Sequence, residues 1–335
     1  MLQNLFRALV ELFRQQEVMR LFGRQAMFLL SVLINYRKHE IANPYAQGLQ
    51  GLSDDVLLNG LGSCMIRLLS DRNRRWTAAV SPRASGFLAS ITDMVGSMFI
   101  AAESANSINA SAADRGGCLL MLYETVYQNP NFLIVLTHTE VTSPSSAADS
   151  SSSAASAGQP ASPTEAINLL SSFLTFCSFT LSNTHDEEGR LYARLCFVIL
   201  MCMTEDAHAN TFIHDTNVKV PVMLHRAAMR HRPASVEPLP SGTLSAAVLD
   251  LCIEFLVSHL QKKFLTELYL KCLAVIHRLL CHQKRQRVRL SFPWKKLWEA
   301  LVNLVRFLLA NEKRLGSDTF VLSSQVLTIF NLFIT

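Results

Sequence analysis

A chain of 335 residues that is half apolar and 17% charged, with a mean hydropathy of +0.22, has the material for a large core, which excludes global disorder. Its net charge of +5 is modest for a nucleic-acid binder of this size, and no nucleic acid is expected as a partner. The eight cysteines, Cys64, Cys118, Cys177, Cys196, Cys202, Cys252, Cys272 and Cys281, are dispersed, mostly in apolar runs. They read as reduced core residues of a cytosolic protein and not as a disulfide framework.

In chain order, the opening stretch MLQNLFRALVELFRQQ sets Arg7, Glu11 and Arg14 among apolar residues, which breaks the uncharged core of a secretory signal. Residues 3–16 instead fit one helix. Residues 24–38, 53–70, 86–101 and 115–128 likewise return apolar side chains at three- and four-residue steps, the period of a helix with one buried face. Ser53, Asp54 and Asp55 open one of these with capping and dipole-complementing chemistry. Val141 to Pro163, VTSPSSAADSSSSAASAGQPASP, has almost no large apolar side chain and is expected to be a disordered loop. Its Ser143-Pro144 and Ser162-Pro163 pairs make Ser143 and Ser162 candidate phosphosites.

Beyond Pro163, Ile167, Leu170, Leu174, Cys177 and Leu181 share a face while Asn168, Ser171, Ser172 and Ser178 fall mostly elsewhere. The uncharged stretch Ala166 to Ser182 is therefore expected to be an amphipathic core helix and not a membrane span. Pro233 to Gly242, with three prolines, reads as an exposed break. Three further helices follow: Val248, Cys252, Phe255, Leu256, His259 and Leu260; then Leu265, Leu268, Tyr269, Cys272, Ile276 and Leu279; then Trp294, Leu297, Trp298, Leu301, Leu304, Val305 and Leu308, with Pro293 at the entry. The last run, Thr319 to Thr335, is uncharged and stops inside its pattern, and the chain is expected to be part of a longer protein. A membrane span there is an alternative, against which Ser323, Ser324 and Gln325 interrupt the run.

Strand-like alternation is scarce, so the fold class is all-α. The number of helix pairs joined by short turns favours an armadillo- or HEAT-like solenoid over a closed bundle, although no crisp repeat is visible. The expected organisation is 1–140 and 164–335 as two parts of the helical solenoid, with 141–163 as a low-complexity insertion between them.

Chemistry is sparse. There is no G-x-S-x-G, G-x-x-x-x-G-K-[ST], H-E-x-x-H or C-x-x-C, and the chain is expected to have no catalytic residues, cofactor or metal. Gly60-Leu61-Gly62 lacks the third glycine of a dinucleotide fingerprint and reads as a close helix-packing spot. Glu205, Asp206, His208, His214 and Asp215 offer metal-ligand chemistry, but the two histidines are six apart and do not share a helix face. Polar helix ends explain them more simply. His185, Asp186, Glu187 and Glu188 read as a solvated interhelical turn.

The strongest candidate surface is basic: Lys284, Arg285, Arg287, Arg289, Lys295 and Lys296, with Arg278 and His282 ahead of them and Phe292, Trp294 and Trp298 interleaved. Near a bilayer each such cation contributes about 1 kcal/mol toward anionic lipid. A solvated loop, a patch for lipid or an acidic protein, and a phosphate contact to nucleic acid are the alternatives. The aromatics read as core, because Trp294 and Trp298 share a helical face with Leu301. His225, Arg226, Arg230, His231 and Arg232 form a second basic group.

Several stretches resemble the armadillo-like helical domain-containing protein 3 family: LLSVLINYRKHEIANPY at 29–45, SGFLASITDMVGSMFIA at 85–101, LHRAAMRHR at 224–232, VLDLCIEFLVSHL at 248–260, and the long run at 268–309 that contains CHQKRQRVRLSFPWKKLW. The resemblance implies a cytosolic, Golgi-membrane-associated scaffold that supports secretion, recruits an Arf guanine-nucleotide exchange factor and binds phosphatidylinositol 4-kinase beta. It carries over no catalytic or partner-contact residues. The alternative reading is a single-pass or peripherally anchored membrane protein that uses residues 320–335 and the basic 278–296 stretch at the Golgi membrane surface.

Overall fold

The computed structural model describes residues 2–37, 42–80, 116–138, 140–142, 166–218, 220–230, 232–239, 242–260 and 264–334. The helix expected at 86–101, and most of the Ser-rich insertion including Ser143 and Ser162, lie outside these residues.

Helices form where the apolar period is 3.6: α1 (Leu2–Glu11), α2 (Gln16–Asn35), α3 (Pro44–Gln50), α4 (Asp55–Val80), α5 (residues 116–128), α6 (Pro130–His138), α7 (Leu169–Ser182), α8 (Glu187–Glu205), α9 (Ala207–His214), α10 (Leu244–Ser258), α11 (Thr266–Gln286), α12 (Trp294–Ala310), α13 (Glu312–Leu315) and α14 (Ser317–Ile334). They stack in two rows. One row runs α2, α4, α7, α8, α11, α14, each packed on the next, and the other carries α3 and α6 at one end and α9, α10 and α12 at the other. Buried apolar side chains from Leu9 to Ile329 form one cluster through this stack. The all-α, armadillo-like class expected from periodicity is the observed one.

The segment expected as one helix over 3–16 is two. α1 stops at Glu11, and the turn lets Phe13 bury while Arg14 pairs with Glu11 and, at 2.7 Å, with Asp54. Asp54 also caps α4, accepting from the Val56 and Leu57 amides at 3.0 and 3.3 Å. α4 in turn passes the turn after α1 so closely that a β-carbon on Gly60 would lie 2.0 Å from the Phe13 carbonyl oxygen, which makes the glycine a packing requirement. Asn43 joins the next two helices: its carbonyl caps α3 through the Tyr45 and Ala46 amides, and its amide donates to the last carbonyls of α2, those of Leu33, Ile34 and Tyr36.

α7 differs most from expectation. It is not amphipathic but buried almost all round, including Ser171, Ser172, Thr175, Ser178 and Thr180. Its neighbours are α4, α8, α10 and a hairpin of β3 (Met223–Arg226) and β4 (Ser235–Pro238). The hydroxyls make this possible. Ser171 and Ser178 donate to carbonyls three residues back, and Thr175 and Ser178 accept the Met223 and His225 amides of β3 at 3.1 and 3.0 Å. The exposed break expected at 233–242 thus contains a strand of this hairpin. Ile167 is likewise not helical, and Val141 and Thr142 are not loop. A short antiparallel ladder of β1 (Glu140–Thr142) and β2 (Ala166–Asn168) pairs Val141 with Ile167 and Thr142 with Ala166, so the chain leaves and re-enters the stack side by side.

Candidate functional site, a basic and aromatic end of the stack

α11 ends in a left-handed turn: Arg287 has φ 54°, the Val288 amide donates to the Gln283 carbonyl at 3.0 Å, and the Arg287 amide to that of Lys284 at 3.4 Å. Glycine is the usual occupant of this position, so the arginine costs about 1 kcal/mol of backbone strain. The turn reverses the chain so that Leu290 is buried while Lys284, Arg285, Arg287 and Arg289 are exposed, and α12 then begins with exposed Lys295 and Lys296. All six expected cations therefore occupy one turn and its two flanking helix ends. Lys284 Nζ reaches the Leu332 carbonyl of α14 at 3.2 Å, and Lys295 pairs with Glu299 one turn on at 3.8 Å.

An aromatic cluster underlies the cations. Phe292 meets Trp294 edge-on at 5.3 Å, and Trp294 and Trp298 pack on Phe333 at 5.4 and 4.6 Å, with Phe330 5.7 Å from Trp298. Both tryptophans are half-buried and packed against the core cluster, where they seal α12 to α14. Beside them lies a cleft of about 530 Å3 lined by Arg226, Asp250, Phe292 and Lys296 among others. Burial raises the Asp250 pKa, opposed by the charges of Lys296 and Arg226.

Two features of this end were not singled out from the sequence. Residues 266–335 hold eleven Lys and Arg against four Asp and Glu, a net of +7, so the other 265 residues sum to −2. Exposed Arg306, Lys313 and Arg314 extend the basic surface toward the start of α14. The signal available was this charge count, taken over the last 70 residues instead of a single run. The second feature is the outer face of α14. Thr319, Leu322, Val326 and Ile329 are buried against the stack, while Phe320 is 67% exposed, Leu327 56% and Ile334 82%.

Several of the other polar groups make structural contacts. Arg226 and Arg232 of the second basic group both turn inward onto Glu254 of α10, Arg226 at 3.5 Å, and His225 stacks on Phe179 at 4.8 Å. Arg230 is exposed and His231 lies outside the described residues. In the Glu205–Asp215 group, Asp206 caps α9 through the Ala209 amide at 2.8 Å and Glu205 pairs with Arg278 at 3.1 Å. His214 is buried against His282 with ring centroids 4.7 Å apart, its Nδ1 bonded to the Asn210 carbonyl and its Nε2 to Gln283. Burial holds its pKa at about 4, with an opposing contribution from the Asn210 bond. No group of three or more His, Cys, Asp and Glu side chains among the described residues is placed to hold a metal ion. Asp186 caps α8 through the Gly189 amide at 2.7 Å. Cys177 and Cys272 lie wholly buried, and burial pushes both thiols well above their usual range.

Fold and surface together define an armadillo-like helical scaffold. Residues 242–335 match the family model described as Armadillo-like helical domain-containing protein 3, C-terminal. Along its whole length the chain is 42% identical to the human Armadillo-like helical domain-containing protein 3, 39% to that of Xenopus laevis and 37% to that of Danio rerio. The chain is thus similar over its whole length to members of this family. It spans about half (51%) of the length of these curated relatives. No solved structure matches.

Proposed function

We propose that the chain is a non-catalytic interaction scaffold of the cytosolic Golgi membrane, which supports secretion by recruiting an Arf guanine-nucleotide exchange factor and binding phosphatidylinositol 4-kinase beta. The observation that carries this reading is the two-row stack itself. One continuous core leaves long helical ridges outside, with exposed apolar side chains such as Phe22, Leu29 and Val32 on α2 and Phe320 and Leu327 on α14. Such ridges accept helices or extended segments of other proteins. The buried titratable groups support a non-catalytic role, since His214 is closed in by Asn210, Gln283 and His282, and Glu254 by two arginines.

Proximity labelling from the full-length chain in living cells tests it. Labelled neighbours should include the exchange factor and the lipid kinase, together with other Golgi membrane proteins. A neighbour set without either partner overturns the proposal.

A further inference from the structure

We infer that the α12–α14 end of the stack is a peripheral contact surface for an anionic lipid bilayer, with the outer face of α14 resting in the interface and cations at both of its ends. The inference rests on the membrane location proposed above and names the chemistry of the contact. α14 is the one helix among the described residues that is long and apolar enough to cross a membrane, yet it is packed along α11 and α12. Leu322, Val326 and Ile329 are wholly buried there, so spanning would strip this stripe out of the core. What remains outside is an uncharged face on a peripheral helix, with exposed Phe320, Val321, Leu327 and Ile334 alternating with exposed Ser324, Gln325, Thr328 and Asn331, and Leu309 of α12 is 61% exposed.

Charge identifies what covers this face. α14 lies between Lys313 and Arg314 at its start and the Lys284–Arg289 turn at its end, where Lys284 contacts Leu332. Arg306, Lys295 and Lys296 lie on the adjoining helix. Of the described acidic groups nearby, Glu299 pairs with Lys295, Asp318 accepts from Thr266 at 2.8 Å, and exposed Glu312 adjoins Lys313 and Arg314, so the cations remain in excess. An uncharged helix face that mixes large apolar side chains with Ser, Thr, Asn and Gln, bracketed by cations and with half-buried tryptophans at one end, matches the interfacial zone of a bilayer, where apolar side chains meet acyl chains and Lys and Arg meet anionic headgroups. An acidic protein would satisfy the cations but leave Phe320 and Leu327 without a role.

Vesicle flotation of the full chain tests this, with phosphatidylcholine alone or with about 30% phosphatidylserine as the probe. The chain should float with the anionic vesicles only, be released by high salt and be extracted by alkaline carbonate. R285Q/R287Q/R289Q should weaken binding on the order of 100-fold, from three lost cations. F320S/L327S, at exposed positions and checked by circular dichroism to be folded, should weaken it at least about 10-fold. Failure of the parent chain to float (an acidic-protein surface), loss with the charge variant alone (headgroup attraction without contact of the α14 face), or carbonate resistance (a spanning helix) would each overturn the inference. Binding to the two protein partners in vesicle-free solution is scored separately. Partner binding without flotation removes the lipid contact and leaves the scaffold, and flotation without partner binding does the reverse.

Discussion

The buried pair of His214 and His282 should make the stack acid-sensitive, and His214→Gln should remove much of that sensitivity. Folded His214 is held at about 4, against an unperturbed 6.5, because it is buried between α9 and α11. Its partners require the neutral ring: one nitrogen donates to the Asn210 carbonyl and the other accepts from Gln283, while the charged group near its neighbour His282 is Arg285. The unfolded chain binds the proton first as pH falls. The His214 contribution is therefore complete above pH 6.5 and is lost between about 6.5 and 4, amounting to about 2 kcal/mol by pH 5 and about 3 kcal/mol by pH 4. His225 and His259, also depressed by burial, act in the same direction. Urea unfolding followed by circular dichroism between pH 4.5 and 7.5 measures the slope. His214→Gln keeps a donor for Asn210 and an acceptor for Gln283, so it should lose about 1 kcal/mol of ring stacking at neutral pH and then fall less steeply. Parallel pH profiles for the two proteins would refute the buried neutral pair.

Gly60→Ala should cost about 2–4 kcal/mol in urea unfolding, because the new methyl meets the fixed backbone of Phe13 and cannot be relieved by a rotamer change. Arg287→Gly should raise stability by about 0.5–1 kcal/mol by relaxing the left-handed turn, visible as a higher Tm. Glu254→Gln should cost about 2–3 kcal/mol and speed amide exchange in β3 and β4, because Arg226 and Arg232 lose their shared carboxylate.

Much of the fold is written in period alone. The runs begun by Val248, Leu265 and Trp294 correspond closely to α10, α11 and α12, where one face is apolar and the caps are local. Elsewhere the deciding contacts are remote. The serines of α7 look like a solvent face in one dimension, yet they are buried because their hydroxyls bond their own helix and the amides of β3, more than 40 residues away. The ladder of β1 and β2 pairs only three residues on each side, too few to show alternation. Arg226 and Arg232 read as surface charge until Glu254 of α10 is found beneath them. The six cations of 284–296 were legible as a run, but their junction with α14 was not, since Lys284 meets Leu332 across 48 residues. Of the glycines at 60 and 62, Gly60 is a packing feature, because the Phe13 backbone leaves no room for a β-carbon there.

A helical stack that works by binding partners should hold at least one of them in purified form. Size-exclusion chromatography of the purified full-length chain, mixed in turn with purified phosphatidylinositol 4-kinase beta and with the Arf exchange factor, tests it most directly. A stable complex should co-elute with at least one of them. Separate elution of the chain from both at micromolar concentration would contradict it.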